Sequence, residues 1–425
     1  MALLQSLLLS AAAAAAVSVP SLPLQHANNV SIPRLLLGTG GGDGGFDAAL
    51  WLQEGGAGFD TAQTYCYFLS PRREGLPAAA CSQVAIANAL SVLEVDYRTQ
   101  FIISKIEPED MGALPVLSGF GRVLDRGILQ EMSVPRLDML MMHQAGRGEG
   151  ASNVRPACFD PAGAASGQGT YAKCRLQTFL AFQQLASAGT VRSVAVSNWQ
   201  VRDLEQVYNA TGLYPAALEV EVHPWWHEDA LLDYCLAKGI AIINYAPLAL
   251  AQQQHLSDPT LTAIAAAHAI TPAQALLLWG LQRTQGVLIP RSANASHMKL
   301  NMAVFCLPPL SAAEMQALAA LPQKKIFSVY CEWCSGLTSL GAKPTPIPPP
   351  PRAPCCCPLF LSLFSAATGS PLARSLYPTC LSFFSPRFPS AQANLGASQH
   401  APNLFTAHHA HPFYLCAQAA KESLA

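Results

Sequence analysis

The sequence predicts an α/β chain closed into a (β/α)8 TIM barrel, on three observations. Eight short apolar runs, each bounded by Gly, Pro or polar residues, alternate with longer amphipathic stretches. Eight such units over roughly 300 residues match a parallel ring with right-handed crossovers. Titratable residues recur where the apolar runs stop, which is the end that carries chemistry in such barrels.

The first strand is expected at Leu35–Leu37, followed by Gly40, Gly42 and Gly45 and a helix-like stretch from Phe46 to Gln53. Those glycines spell G-x-G-x-x-G, which also suits a dinucleotide-binding turn in an open doubly wound sheet. More strand-helix units follow than half of that fold needs, so the barrel is preferred. Further strands are expected at Gly58–Asp60, Phe101–Ser104, Leu137–Met142, Arg192–Val196, Ala217–Val222, Ala241–Tyr245 and Val287–Ile289. Helices are expected at Gln83–Leu93, Arg175–Ala188, Val201–Asn209, Asp229–Ala237 and Pro272–Gln282. Thr271 before Pro272 reads as an N-cap with proline at the first helical position. Two more helices, Asn294–Met302 and Ala312–Leu321, complete the ring.

The two ends differ from this middle. Residues 1–33 contain no Asp, Glu, Lys or Arg, and Met1–Val19 is an apolar run that stops at Pro20. It falls short of the ~20 residues needed to span a bilayer and has no basic flank, so residues 1–27 read as a leader or an Ala-rich extension. From Gly341 on, eight prolines fall within residues 341–360 and only six charged side chains occur up to Ala425. Without periodicity this stretch reads as unfolded tail or as the product of a misread frame. The expected organisation is therefore 1–27 leader, 28–335 barrel, and 336–425 Pro-rich tail. The protein is expected in the cytoplasm, or in an organelle or the secretory route if the leader is a targeting segment.

Twenty-five basic against 26 acidic residues give a net charge of −1, which offers nothing to a nucleic-acid backbone or an anionic membrane. Thirteen cysteines are too dilute for a disulfide scaffold in so long a chain. Cys331 and Cys334 have the spacing of half a zinc site, but the run Cys355–Cys357 does not supply the other half. Unligated thiols and no metal are expected.

Four residues stand at the expected strand ends. Asp60 ends the second strand, Tyr65 follows it, Lys105 ends the third and His143 ends the fourth. Singly, each has an ordinary reading: a turn-capping Asp, a packed Tyr, a solvated Lys. Together at one mouth, an acid, a phenol, an ammonium and an imidazole form a proton-handling set. A free phenol titrates near pH 10, so Lys105 is expected to lower the Tyr65 pKa, with Asp60 holding Lys105 charged. His143 can hydrogen-bond a substrate oxygen.

These residues carry a family resemblance. Gly58-Phe59-Asp60-Thr61-Ala62-Gln63-Thr64-Tyr65, Ile103-Ser104-Lys105 and Leu137 to His143 strongly resemble the aldo-keto reductases. Gly189 to Trp199, Glu221-Val222-His223-Pro224, Asn244 to Leu248 and Ile289-Pro290-Arg291-Ser292 continue the match in order, over roughly residues 28–330. The resemblance implies Asp60, Tyr65, Lys105 and His143 as the catalytic set. It also implies Ser197, Asn198 and Glu219 at the nicotinamide carboxamide, Tyr245 stacked on the ring, and Arg291, Ser292 and Asn301 at the adenosine end. It departs in detail: Glu219 stands for a usual Gln, Arg291 for a Lys, and His297 for an Arg that contacts the 2'-phosphate. Gly40 stands where many members have a pocket Trp, and the anomalous tail replaces the usual C-terminal substrate loop.

The implied activity is NADPH-dependent reduction of a small aldehyde or ketone by a monomer, with NADH as a possible substitute. A non-catalytic protein that binds the cofactor for regulation is the alternative, since fold does not fix function. The intact four-residue set argues against it. A hydrolase built on Glu219 and Glu221 is weaker still, because residues two apart on a strand lie side by side, with His223 continuing the row, and do not flank a bond.

Overall fold

The computed structural model describes residues 18–40, 46–67, 81–113, 128–146, 156, 158–159 and 171–327. Gly42 and Gly45, most of the expected leader, Cys331 and Cys334, and the Pro-rich tail lie outside the described residues.

The chain opens with an antiparallel hairpin of β1 (Ser21–Pro23) and β2 (Ser31–Pro33). Then come the ring strands β3 (Leu37–Gly38), β4 (Gly58–Asp60), β5 (Phe101–Ile106), β6 (Leu137–Met142), β7 (Val191–Ser197), β8 (Ala217–Glu221), β9 (Ala241–Tyr245) and β10 (Val287–Ile289). They form one eight-stranded sheet, parallel throughout, with neighbours in chain order. The first and last strands meet across a seam where the Leu36 N–H donates to Leu288 O at 3.0 Å and the Gly38 N–H to Pro290 O at 2.9 Å. Gly38 is needed there, because a Cβ on it would lie 2.7 Å from Ile289 O. This closure excludes the open doubly wound sheet.

Helices wrap the ring: α1 (Ala48–Gln53), α2 (Thr64–Tyr67), α3 (Ser82–Val92), α4 (Leu129–Met132), α5 (Ala172–Ser187) and α6 (Val201–Thr211), then α7 (Asp229–Lys238), α8 (Gln253–Leu256), α9 (Pro259–Ala267), α10 (Pro272–Thr284), α11 (Ala295–Ala303) and α12 (Ala312–Ala319). Thr271 caps α10, accepting from the Gln274 N–H while the Gln274 side chain reaches back to the Thr271 N–H. Asp258 before Pro259 caps α9, its carboxylate accepting from the Thr260 and Leu261 N–H groups. No single described helix is long and apolar enough to cross a membrane.

Strand parity divides the core in two. Leu36, Phe101, Ile103, Met139, Met141, Ala195, Ala217, Ile243, Val287 and Ile289 pack together inside the ring. Their alternate neighbours Leu35, Leu37, Ile102, Leu140, Met142, Leu218, Ile242 and Leu288 face the helices. Side chains alternate along a strand, so Lys105, His143, Ser197, Glu219, Glu221 and Tyr245 continue the inward rows. The same alternation that fills the barrel aims the polar residues at its carboxyl-end mouth.

Two expectations need correction. β1 falls inside the stretch assigned to a leader, and Leu24, Val30 and Ile32 join the interior cluster. Three-residue strands flanked by proline carry too short a period to stand out from an uncharged terminus. The cysteines are not all thiols either. Cys158 and Cys174 form a disulfide, Cys81 and Cys306 are also disulfide-bonded, and Cys235 is a free, buried thiol.

Candidate active site

Asp60, Tyr65, Lys105 and His143 do converge. Lys105 Nζ donates to Asp60 Oδ1 at 2.6 Å and to Thr61 O at 3.1 Å, and lies 5.4 Å from the centre of the Tyr65 ring. The Tyr65 and His143 rings meet edge to face at 5.7 Å. A third partner enters from β8: Glu219 Oε2 lies 3.4 Å from Lys105 Nζ, outside hydrogen-bond geometry. Burial opposes the charge on Lys105, but the hydrogen-bonded Asp60 carboxylate, with the Glu219 carboxyl close by, more than offsets it and raises its pKa above the ordinary lysine value.

The phenol behaves differently from the sequence expectation. Burial pushes the Tyr65 pKa up, Lys105 pulls it down, and Asp60, Glu219 and Glu107 push it up again, leaving it above the ordinary phenol value. The ammonium acts in the expected direction, yet burial and three carboxyl groups outweigh it. The Tyr65 hydroxyl thus holds its proton across the neutral range, with the Lys105 ammonium close to its ring.

Glu107 was not anticipated. Its Oε1 pairs with His143 Nδ1 at 2.5 Å and accepts from Thr64 Oγ1 at 2.9 Å. An ionised carboxylate only accepts, so the Nδ1 proton sits toward Glu107, and Nε2 is the nitrogen that can meet a ligand. The signal was available: β5 runs on through Ile106, so Glu107 follows Lys105 in the inward row.

On the other side of the mouth, the Tyr245 hydroxyl donates to Asn198 Oδ1 at 3.0 Å, and Asn198 Nδ2 donates to His143 O at 3.1 Å. Ser197 Oγ donates to Glu219 O at 3.1 Å. This corner fits a flat, amide-bearing ring: a half-buried phenol face held in place, beside a buried carboxyl oxygen with no hydrogen-bond partner. Arg291 reaches the loop after β3, donating from a guanidinium N–H to Gly40 O at 2.8 Å. Ser292 shapes the turn into α11 through Asn294, whereas Asn301 is buried on that helix. Among the described residues no group of three or more His, Cys, Asp or Glu is arranged to hold a metal ion.

Glu221 serves another purpose. It accepts from the Ile326 N–H at 2.7 Å and the Phe327 N–H at 3.1 Å, and its Oε1 lies 3.0 Å from His223 Nε2. Gln323 Nε2 donates to Pro224 O at 2.8 Å. The segment that follows α12 is therefore strapped along the loop after β8, and the Phe327 ring stands edge-on to Tyr245 at 5.6 Å. Glu219 and Glu221 thus face different partners, Lys105 and the strap, which does not suit a hydrolytic carboxylate pair.

With this geometry in view, comparisons with known proteins place the chain. The sequence pattern of the aldo/keto reductase family matches residues 47–322. Mouse aldo-keto reductase family 1 member A1 is 31% identical over 204 residues, an alignment covering 46% of this chain and 61% of that relative. An uncharacterized oxidoreductase of Caenorhabditis elegans is 27% identical, with 68% of this chain and 78% of the relative covered. The glycerol 2-dehydrogenase (NADP(+)) of Saccharomyces cerevisiae is 30% identical, with 35% and 47% covered. The aldose reductase of Schistosoma japonicum shares the fold, with a TM-score of 0.57 at 23% identity over 75% of this chain and 100% of that one. A mutant Gox0644 solved in complex with NADPH shares it at a TM-score of 0.55 and 22% identity, covering 72% of this chain and 95% of that one. The closed ring, the family pattern across most of it and the ordered motifs lead to one conclusion: this chain belongs to the aldo/keto reductase family.

Proposed function

We propose that the protein reduces an aldehyde or ketone to an alcohol with NADPH, Tyr65 giving the proton. The observation that carries this reading is the buried Lys105, bonded to Asp60 and set beneath the Tyr65 ring next to His143. When bound, a reduced nicotinamide supplies the hydride, which no side chain here can provide. The chain's own residues do the rest. Tyr245, fixed through Asn198, offers a planar face that orients the ring. Arg291 brings a cation to the loop after β10, where a phosphate end is met in many barrels. Tyr65 passes its hydroxyl proton to the substrate oxygen as charge develops there, and Lys105 stabilises the phenolate. His143 can donate to the same oxygen through Nε2 only when doubly protonated, because its Nδ1 proton is directed at Glu107.

The test is purified protein with NADPH or NADH and a panel of aldehydes and ketones, followed by loss of cofactor absorbance and by fluorescence titration. Carbonyl-dependent oxidation of the cofactor supports the reading. Tight cofactor binding with no turnover on any carbonyl would favour the regulatory binding protein instead.

A further inference from the structure

We propose that Glu219 carries a proton in the resting protein, so that the buried cluster beside Tyr65 holds one ammonium, one carboxylate and one neutral carboxyl, with Glu219 acting as a positioning residue for the Tyr65 acid. The argument is a count of buried charge. The side chains of Asp60, Lys105 and Glu219 are each exposed by no more than 3%. Fully ionised, they would place two negative charges against one positive charge in a site closed off from bulk solvent. Buried charge that lacks a partner is removed by protonation more readily than it is tolerated.

Among the described residues no second cation answers the surplus. From the neighbouring elements, His143 is turned to Glu107, Arg291 to Gly40 O, and His223 to Glu221. Tyr65 faces the cluster as a phenol, and the flanking strands β7 and β9 bring Ser197 and Ile243 opposite Glu219. Geometry decides which carboxyl takes the proton. Asp60 holds the 2.6 Å bond from Lys105 Nζ, whereas Glu219 Oε2 stands at 3.4 Å with no hydrogen bond. The oxygen without a bond is the one that gains most from becoming an O–H donor. Burial first, then the nearby Asp60 carboxylate, pushes the Glu219 carboxyl well above the ordinary range, against the pull of Lys105.

A neutral Glu219 changes what the site can do. It leaves the charge of Lys105 to Asp60 and Tyr65, and it offers an O–H as well as an oxygen toward the nicotinamide end, which a carboxylate cannot. Ionisation at higher pH adds a negative charge that raises the phenol further, so Tyr65 becomes a poorer acid.

The functional half of this inference rests on the reductase reading; the protonation half does not, and the experiment separates them. Infrared spectra of the cofactor-free protein near pH 7 should contain a buried protonated-carboxyl stretch that disappears in Glu219→Gln. Isotopic labelling of glutamate carboxyls should shift the same band in the unmutated protein, which keeps the test independent of whether the variant folds. In turnover, the alkaline fall of kcat/KM should move upward by about one pH unit or more in Glu219→Gln. The absence of any glutamate-dependent band overturns the proposal, as do superimposable pH profiles in a folded variant. Failure of the unmutated protein to reduce carbonyls would instead sink the reductase reading and leave the infrared result standing.

Discussion

Arg291 donates a guanidinium N–H to the carbonyl of Gly40 at 2.8 Å, tying the loop after the last barrel strand to the loop after the first. Gly40 in turn lies against the phenol, since a Cβ placed on it would come within 2.9 Å of Tyr65 Cζ. The expected phosphate-binding cation and the expected proton donor are thus joined through one glycine. Two roles for Arg291, loop brace and phosphate contact, can be separated. Arg291→Ala should weaken both cofactors through the loop, but NADPH about 10-fold or more beyond NADH, because a charge-assisted contact is worth roughly 1.5–3 kcal/mol. Fluorescence titrations with each cofactor check this, and equal losses would leave Arg291 as a brace alone.

Tyr65→Phe should keep cofactor binding nearly intact and lower carbonyl turnover by ~100-fold or more, since it removes only the transferable proton. Steady-state kinetics with the best carbonyl of the panel measure it. Undiminished reduction would take Tyr65 out of the mechanism.

Glu107→Gln retains the shape of the side chain but not the charge that holds His143 and Thr64. Turnover should fall by about 10-fold, the scale of one charge-assisted hydrogen bond at the low end. Cofactor affinity should change less than turnover, because Glu107 acts through the His143 ring and Thr64. A KM-against-kcat comparison, with cofactor titration alongside, tests that split.

The raised pKa of Glu219 also makes a stability prediction. The group is neutral in both folded and unfolded chains below the ordinary glutamate range, so its burial costs little there. As pH rises above that range the unfolded chain ionises first, and the folded state loses relative stability until its own, higher pKa is passed. Glu219→Gln cannot ionise. Its melting temperature relative to the unmutated protein should therefore rise from acid to neutral pH and then level off. A difference that stays constant with pH would show that Glu219 is ionised in the folded chain as readily as in the unfolded one.

The Cys158–Cys174 disulfide spans a separation of 16 residues and joins the region after β6 to α5. A loop of that size predicts a loss of about 3 kcal/mol on opening. Chemical denaturation of Cys174→Ser should give that order of destabilisation; no change would mean that the bond adds nothing beyond its packing.

Most of the barrel was legible because buried parallel strands are short, apolar and sharply bounded. β6, β9 and β10 lie where their sequences place them, and Thr271-Pro272 announces α10. The four convergent residues were legible for the same reason, each ending an apolar run. What escaped has a local cause. β1 and β2 are too short to show a period, Glu107 hides because β5 outlasts its most apolar residues, and the strap through Ile326 and Phe327 depends on backbone N–H groups that carry no sequence signature. The net direction of the Tyr65 shift required burial to be weighed against Lys105, and burial is a property of the fold.

The seam between Leu36 and Leu288 also bears on how the chain is made. Arg34 Nε donates to Gly286 O at 3.0 Å across 252 positions, and the hydrogen bonds of Leu36 and Gly38 span comparable distances in sequence. During synthesis, the strand that begins the ring must wait with an unpaired edge until its last partner emerges from the ribosome. An arrested or nascent chain presents the ring as an open, aggregation-prone sheet, and late arrival of residues 286–290 sets the moment at which that hazard ends.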